Sequence, residues 1–100
     1  MNFFGLTSEQ FEIVNSLVIK PLKNRNCRVW IFGSRSTGKF QKFSDLDILY
    51  ESTDEIELSF IFNIKSNIEE SNLPIKVDIV NIKDLAESYS EEILKNRILV

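Results

Sequence analysis

The sequence predicts a single α+β (or α/β) domain in which about three helices flank a small mixed sheet of three to four strands. Two observations support this fold class. The chain has 100 residues, of which 43% are hydrophobic and 11% aromatic, enough for one core but not for two. Apolar residues at helical spacing alternate along the chain with short runs of β-branched and aromatic residues. We therefore expect one domain over residues 1–100.

The first third of the chain predicts a helix followed by a buried strand. Thr7 and Gln10 have the spacing of a capping box. The apolar residues that follow at helical spacing are Phe11, Val14, Leu17 and Val18. This helix is expected to end or kink near Pro21, because proline has no backbone N–H to donate. Residues 28–32 predict a buried strand, since β-branched and aromatic side chains dominate them.

Two further helices are expected in the second half of the chain. Ser52 and Glu55 have the spacing of a second capping box, which would open a helix that runs to about residue 71. Residues 83–97 are amphipathic and predict a C-terminal helix. Its expected buried stripe is Leu85, Tyr89, Ile93 and Leu94.

Two further strands, over residues 44–50 and 75–81, would place three aspartates on one side of the sheet. Alternate residues of a strand point to the same face, so Asp45 and Asp47 project together. Asp78 lies on the corresponding face of the later strand. The opposite faces carry Leu46, Ile48, Tyr50, Ile75, Val77 and Ile79. If the two strands are neighbours, the three carboxylates converge, and their repulsion raises their pKa values unless a cation is bound.

Such a cluster suits divalent cations. Mg²⁺ prefers a few carboxylates together with substrate phosphate oxygens. Two such ions can stabilise the attacking and leaving oxygens of an in-line phosphoryl displacement. An Asp-x-Asp pair on a solvated strand face is the alternative, and it remains open at this point.

The loop over residues 33–43 suits a phosphate group. Gly33 allows a phosphate to approach the backbone, and Ser34 offers a hydroxyl and an N–H. The candidates for neutralising phosphate charge are Arg35, Lys39 and Lys42. The stretch GSRSTGK also fits seven positions of the P-loop pattern G-x-x-x-x-G-K-S/T, but Phe40 has no oxygen for a metal. A plain surface loop is the third interpretation.

The stretch FGSRSTGKFQKFSDLDI resembles the signature of the minimal nucleotidyltransferase family, in the DNA-polymerase-β-like superfamily. KVDIV resembles the family's third-aspartate strand, and the resemblance covers nearly the whole chain. It implies the polymerase-β-like nucleotidyltransferase palm fold and transfer of AMP from ATP to a protein hydroxyl, with release of pyrophosphate. Two Mg²⁺ ions would be the cofactors. The family implies an antitoxin whose partner is a HEPN-domain ribonuclease toxin, typically modified on a tyrosine.

The same resemblance implies roles for individual residues. Asp45 and Asp47 would bind the metal ions, and Asp78 would complete one metal site and help to deprotonate the attacking hydroxyl. The residues expected to hold the nucleotide are Gly33, Ser34, Arg35 and Lys39. Many relatives carry a basic residue where this chain has Thr37, which leaves Arg35 or Lys39 to replace it.

Composition excludes several other classes. The chain has no histidine, which removes Ser-His and Cys-His nucleophiles and His-ligated metal sites. Cys27 is the single cysteine, so no disulfide framework is expected. A net charge of −3 argues against direct nucleic-acid binding. Since no signal peptide or membrane span is recognisable, the expected location is cytoplasmic.

The partner surface and the activity each leave alternatives. The helix over residues 52–71 has two apolar stripes, one with Leu58, Ile61, Phe62 and Ile68, the other with Ile56, Phe60 and Ile64. Either both are buried, or part of this helix, or Phe3 and Phe4, is exposed and binds the toxin or a second copy of the chain. An antitoxin that acts by binding alone is the alternative to the enzyme. A small-molecule nucleotidyltransferase would need a self-contained acceptor pocket, for which this length leaves little room.

Overall fold

The computed structural model of the protein describes residues 3–100, apart from the side chain of Tyr89, and within them shows a mixed sheet of four strands. The strands are β1 (Cys27–Phe32), β2 (Leu46–Ser52), β3 (Val77–Asn81) and β4 (Ile98–Leu99), in the order β3-β2-β1-β4. β2 runs parallel to β3, whereas β1 is antiparallel to both of its neighbours, β2 and β4. The predicted small mixed sheet is confirmed.

The helices cover both faces of this sheet. They are α1 (Ser8–Val14), α2 (Lys20–Asn24), α3 (Ser34–Thr37), α4 (Leu58–Glu69) and α5 (Glu87–Asn96). The main core lies between the sheet and the helices α1, α2 and α4. On the other face, Trp30, Phe32 and Leu49 form a smaller cluster, against which Leu85 and Ile93 pack. None of the helices in the described part of the chain is long and apolar enough to cross a membrane.

The first helical region confirms the capping box and corrects the predicted end of the helix. Thr7 Oγ1 accepts a hydrogen bond from the Gln10 N–H at 3.1 Å, and Gln10 Oε1 accepts one from the Thr7 N–H at 3.0 Å. The helical path does not end near Pro21 but continues to Asn24. A π-helical segment, Asn15–Ile19, precedes Pro21, and the proline lies in the first turn of α2, where its missing N–H costs little.

Several predicted element boundaries are wrong, among them the start of the C-terminal helix, which is Glu87 and not residue 83. Ser52 belongs to β2, so it does not cap α4, which begins at Leu58. β2 itself begins at Leu46, which leaves Asp45 one residue before the strand. β3 begins at Val77 and not at residue 75, and the C-terminal strand β4 was not predicted.

The apolar stripes of α4 are buried only in part, which agrees with the alternative that part of this helix is exposed. Ile61, Ile64 and Ile68 are buried, whereas Leu58 is 87% exposed and Phe62 is 70% exposed. The prediction that both stripes are buried is therefore wrong.

The structure also tests the predictions for apolar residues near the two ends of the chain. Phe3 and Phe4 are not a free surface, because their rings lie 5.1 and 6.2 Å from that of Phe11 and they pack on the main core. Leu94 is 39% exposed, which contradicts its predicted burial. The prediction for Tyr89 lies outside the described side chains.

Candidate active site

The site is built around two aspartates on neighbouring parallel strands. Asp47 of β2 is the direct register partner of Asp78 of β3. The flanking residues Leu46 and Ile48 point the other way and are fully buried in the main core. The period of two along a strand therefore places both carboxyl groups on the face that α5 covers only in part. The predicted convergence of these two aspartates is confirmed.

The electrostatics of Asp47 are those of a crowded carboxylate. Burial, the negative charges of Asp78 and Asp45, and a hydrogen bond with Asp78 raise the pKa of Asp47 from its ordinary 3.8 to about 6. The ammonium of Lys76 opposes this shift only weakly, since its side chain is 71% exposed and lies 3.5 Å from Asp78. Near neutral pH, the pair therefore holds negative charge that no protein cation fully compensates.

Asp45 stands apart from this pair. It is exposed and precedes β2, although its charge still acts on Asp47. Within residues 3–100, no group of three or more His, Cys, Asp or Glu side chains is arranged to hold a metal ion. The donor chemistry nevertheless fits Mg²⁺, which takes hard carboxylate oxygens and would relieve the repulsion at Asp47. The predicted convergence is therefore found for Asp47 and Asp78 but not for all three carboxylates.

Gly33 brings the loop over residues 33–43 against Asp47. Gly33 follows Phe32, whose register partner in β2 is Asp47, so loop and carboxylate meet at the end of β1. Gly33 has φ +76° and ψ −151°, a conformation that side chains with a Cβ avoid. A Cβ at this position would lie 3.3 Å from Asp47 Cγ and collide with Oδ2. The absence of a side chain is therefore what lets the Asp47 carboxyl lie against the loop backbone.

The rest of the loop is a compact turn and not an extended segment. The short helix α3 follows Gly33 directly, and the Gly33 carbonyl accepts hydrogen bonds from the backbone N–H groups of Ser36 and Thr37 at 3.1 and 3.3 Å. Gly38 closes this helix in the left-handed conformation. Ser34 occupies its first position and is half-buried, whereas Lys39 is exposed just after it. Gly33, Ser34 and Lys39 thus lie in one turn, as their proposed shared role requires.

Arg35 lies behind this loop, with its side chain only 2% exposed. Its guanidinium donates to the carbonyls of Ser44 at 2.8 and 3.1 Å and of Phe4 at 2.9 Å. It also donates to the Lys42 carbonyl at 3.3 Å and stacks over the Phe40 ring at 5.0 Å. A nucleotide role for Arg35 stays a prediction, and this geometry favours a structural one. Phe40 likewise anchors the loop through Arg35.

A cavity beside the loop adds residues that the sequence did not single out. It has a volume of about 300 Å³ and lies between Gly33, Thr37 and Lys39 on one side and Glu92, Ile93 and Asn96 of α5 on the other. The sequence predicted the C-terminal helix as a packing element only. The missed signal was the pair of polar residues, Glu92 and Asn96, one turn apart beside the half-buried Ile93.

A Gly-Ser turn packed on one of two paired strand aspartates, in a small mixed sheet backed by helices, defines a nucleotidyltransferase. The sequence pattern of the family described as "Polymerase beta, Nucleotidyltransferase" matches residues 18–100. The chain belongs to the polymerase beta nucleotidyltransferase family, and it is a nucleotidyltransferase.

Similar proteins agree with this assignment. A Haemophilus influenzae protein named as a probable protein adenylyltransferase, MntA, is 30% identical over 95 residues, which cover 95% of this chain and 82% of that protein. A solved structure assigned as a minimal nucleotidyltransferase has a TM-score of 0.72 and 26% identity, covering 95% of this chain and 97% of its own. A crystal structure of a toxin–antitoxin with AMP-PNP shares the fold, with a TM-score of 0.65 and 20% identity. The match covers 85% of this chain and 70% of that chain.

Proposed function

We propose that this chain is a Mg²⁺-dependent protein adenylyltransferase that acts as an antitoxin by transferring AMP from ATP to a hydroxyl of a partner protein. The partner would be a HEPN-domain ribonuclease toxin, and the hydroxyl that of a tyrosine. The observation that supports this proposal is the Asp47–Asp78 pair, in which the Asp47 carboxyl lies directly against the Gly33 backbone. The MntA relative is named as a protein adenylyltransferase, which supports the same reaction.

The reaction divides between the loop and the carboxylates. Gly33 and Ser34 would bind the triphosphate through backbone and hydroxyl groups, and the exposed Lys39 ammonium would neutralise part of its charge. Asp45, Asp47 and Asp78 would hold the two Mg²⁺ ions. When bound, these ions neutralise the phosphate oxygens and the leaving pyrophosphate.

The proton balance assigns a role to Asp78. The acceptor oxygen forms a bond to the α-phosphorus, and the bond from that phosphorus to the bridging oxygen of pyrophosphate breaks. The proton of the acceptor hydroxyl must leave, and the Asp78 carboxylate would take it.

The acceptor protein would dock on the exposed side of α4. Leu58 and Phe62 lie one helical turn apart and are 87% and 70% exposed, although large apolar side chains are usually buried. The other surface considered from the sequence, Phe3 and Phe4, is already packed on the core. A second copy of the chain is the competing occupant of the α4 face, and sedimentation of the isolated protein distinguishes the two.

An antitoxin that neutralises its partner by binding alone is the second candidate. The exposure of Asp45, and the lack of a preformed three-carboxylate group in residues 3–100, favour this alternative. Neutralisation of the partner would then depend on the α4 face alone and not on the carboxylates.

Neutralisation by carboxylate variants separates the two candidates. The toxin would be co-expressed with the wild-type chain, with Asp45→Asn/Asp47→Asn, or with the matched control Asp54→Asn/Asp84→Asn, which changes two exposed aspartates elsewhere. The enzyme account predicts growth with wild type and control but not with the site variant. Equal protection by the site variant would contradict the enzyme account and support neutralisation by binding.

A further inference from the structure

The cavity between the phosphate loop and α5 has two chemically different ends. At the loop end, Gly33 and Thr37 present small groups and Lys39 presents an ammonium, which suits phosphate. At the helix end are the Glu92 carboxylate, the Ile93 side chain and the Asn96 amide. Its volume of about 300 Å³ lies at the lower limit for small-molecule sites. Gly33 belongs to this cavity and also contacts Asp47, so the cavity opens beside the reacting groups.

The charges decide which part of a nucleotide lies at which end. A triphosphate placed next to the Glu92 carboxylate would be repelled, whereas Lys39 attracts it. The triphosphate therefore occupies the loop end, and the uncharged nucleoside extends towards α5. A carboxylate on that wall is suited to accept hydrogen bonds from ribose hydroxyls, as acidic residues do in other nucleotide-binding folds.

The helix wall packs against the sheet. Ile93 packs on the cluster of Trp30, Phe32 and Leu49. At the end of α5, the Arg97 guanidinium lies 4.2 Å from the centre of the Trp30 ring, which fixes the helix terminus next to Asn96. The spacing of Glu92, Ile93 and Asn96 puts them on one face of the helix.

We propose that the helix end of this cavity is the nucleoside subsite, in which Ile93 contacts the face of the base, Glu92 binds the ribose and Asn96 selects adenine. The proposal rests on the nucleotidyltransferase function proposed above and specifies its substrate. An amide presents one donor and one acceptor side by side, which matches the amino group and N7 of adenine. Guanine offers two acceptors at the same edge, so the Asn96 amide discriminates against it.

Binding measurements on the full chain test this assignment. ATP, GTP and inorganic tripolyphosphate are titrated in the presence of Mg²⁺ into wild type, Asn96→Leu and Asn67→Leu. Leucine removes the amide without adding charge. Asn67 is an exposed asparagine of α4, away from the cavity, and serves as the matched control. Tripolyphosphate occupies only the loop end, so it reports whether each variant keeps an intact phosphate site.

The expected result is that wild type prefers ATP to GTP and that Asn96→Leu loses ATP affinity by about tenfold or more. Tripolyphosphate affinity should be the same in all three proteins, and Asn67→Leu should bind ATP like wild type. Unchanged ATP affinity in Asn96→Leu, or equal binding of ATP and GTP by wild type, would overturn the nucleoside assignment and leave the proposed reaction standing. If wild type binds neither ATP nor tripolyphosphate, the proposed function fails, and the subsite fails with it.

Discussion

Asp47 and Asp78 are direct neighbours across the parallel pair β2–β3, and their carboxyl groups are within hydrogen-bonding reach of each other. Gly33 closes the other side of Asp47, because only its missing Cβ leaves room for the carboxyl. The proposed reactive centre is thus a three-way contact between two strands and the loop that follows a third. Each of its parts can be tested by a change that leaves the others in place.

The titration of Asp47 in metal-free protein is the first prediction. Its carboxyl should titrate near pH 6, because burial and the neighbouring carboxylates raise its pKa to about 6. The folded protein then binds this proton more tightly than the unfolded chain does. The stabilisation of the fold by this proton is fully present below about pH 4. It is lost as the pH rises through 6, and this loss lowers the free energy of unfolding by about 1–3 kcal/mol.

Carboxyl NMR in buffer with a chelator measures the titration, and urea unfolding measures its effect on stability. Asp47→Asn should remove this pH-dependent loss, and Asp78→Asn should lower the pKa of Asp47. Added Mg²⁺ should also lower it. A titration of Asp47 near its ordinary 3.8 would contradict the crowded pair.

Substitution of Gly33 is the second prediction. Gly33→Ala should reduce transfer activity at least about 100-fold, because the new Cβ displaces the Asp47 carboxyl from the loop. Gly38→Ala is the matched control, since Gly38 also has a positive φ, +81°, but no atom within 4 Å of its would-be Cβ. Both variants should lose about 1–3 kcal/mol of stability from backbone strain. Equal activity of the two variants would show that the Gly33–Asp47 contact is not needed.

The third prediction concerns Arg35, whose buried guanidinium bonds the carbonyls of Phe4, Lys42 and Ser44. Arg35→Met should lower the free energy of unfolding by about 3 kcal/mol or more, because the carbonyls of three residues lose their buried donor at once. Arg28→Met is the control, because Arg28 is 72% exposed and should cost under about 0.5 kcal/mol. Urea unfolding measures both variants. A stable Arg35→Met protein that no longer binds ATP would instead support the phosphate-binding role predicted from the sequence.

The exposed face of α4 gives the fourth prediction. Phe62→Ser should weaken binding to the toxin by about tenfold or more, as loss of an apolar anchor does at interfaces. Its stability and ATP affinity should stay unchanged, because the side chain is 70% exposed. Ile64→Ser, at a buried position of the same helix, should instead destabilise the fold by about 2–5 kcal/mol. Wild-type toxin affinity in Phe62→Ser would place the interface elsewhere.

Much of the sheet and of its acidic face could be predicted from the sequence. The period of two predicted which residues of β2 and β3 share a face, so the pairing of Asp47 with Asp78 needed only the assumption that these strands are neighbours. The capping box of Thr7 and Gln10 could also be predicted, because its hydrogen bonds are local in sequence. Local patterns of this kind survive folding because tertiary contacts do not compete with them.

The missed features depend on contacts distant in sequence. Arg35 resembles a phosphate ligand in the sequence, but carbonyls from residues up to 31 positions away surround its guanidinium. Ser52 has the spacing of a helix cap, yet it pairs with Cys27 in the sheet, and pairing of β2 with β1 prevails over the local signal. The two residues of β4 are too short a run to mark a strand and become one only by pairing with β1.

The most direct measurement follows the α-phosphate and the γ-phosphate of ATP separately. The protein is incubated with Mg²⁺ and the toxin, once with α-labelled and once with γ-labelled ATP, beside Asp45→Asn/Asp47→Asn. The account predicts that the toxin is labelled only from the α-phosphate and that the variant abolishes the label. Labelling from the γ-phosphate would contradict nucleotidyl transfer and favour a kinase that uses GSRSTGK as a P-loop. A stable complex without any label would equally contradict it and leave an antitoxin that acts by binding.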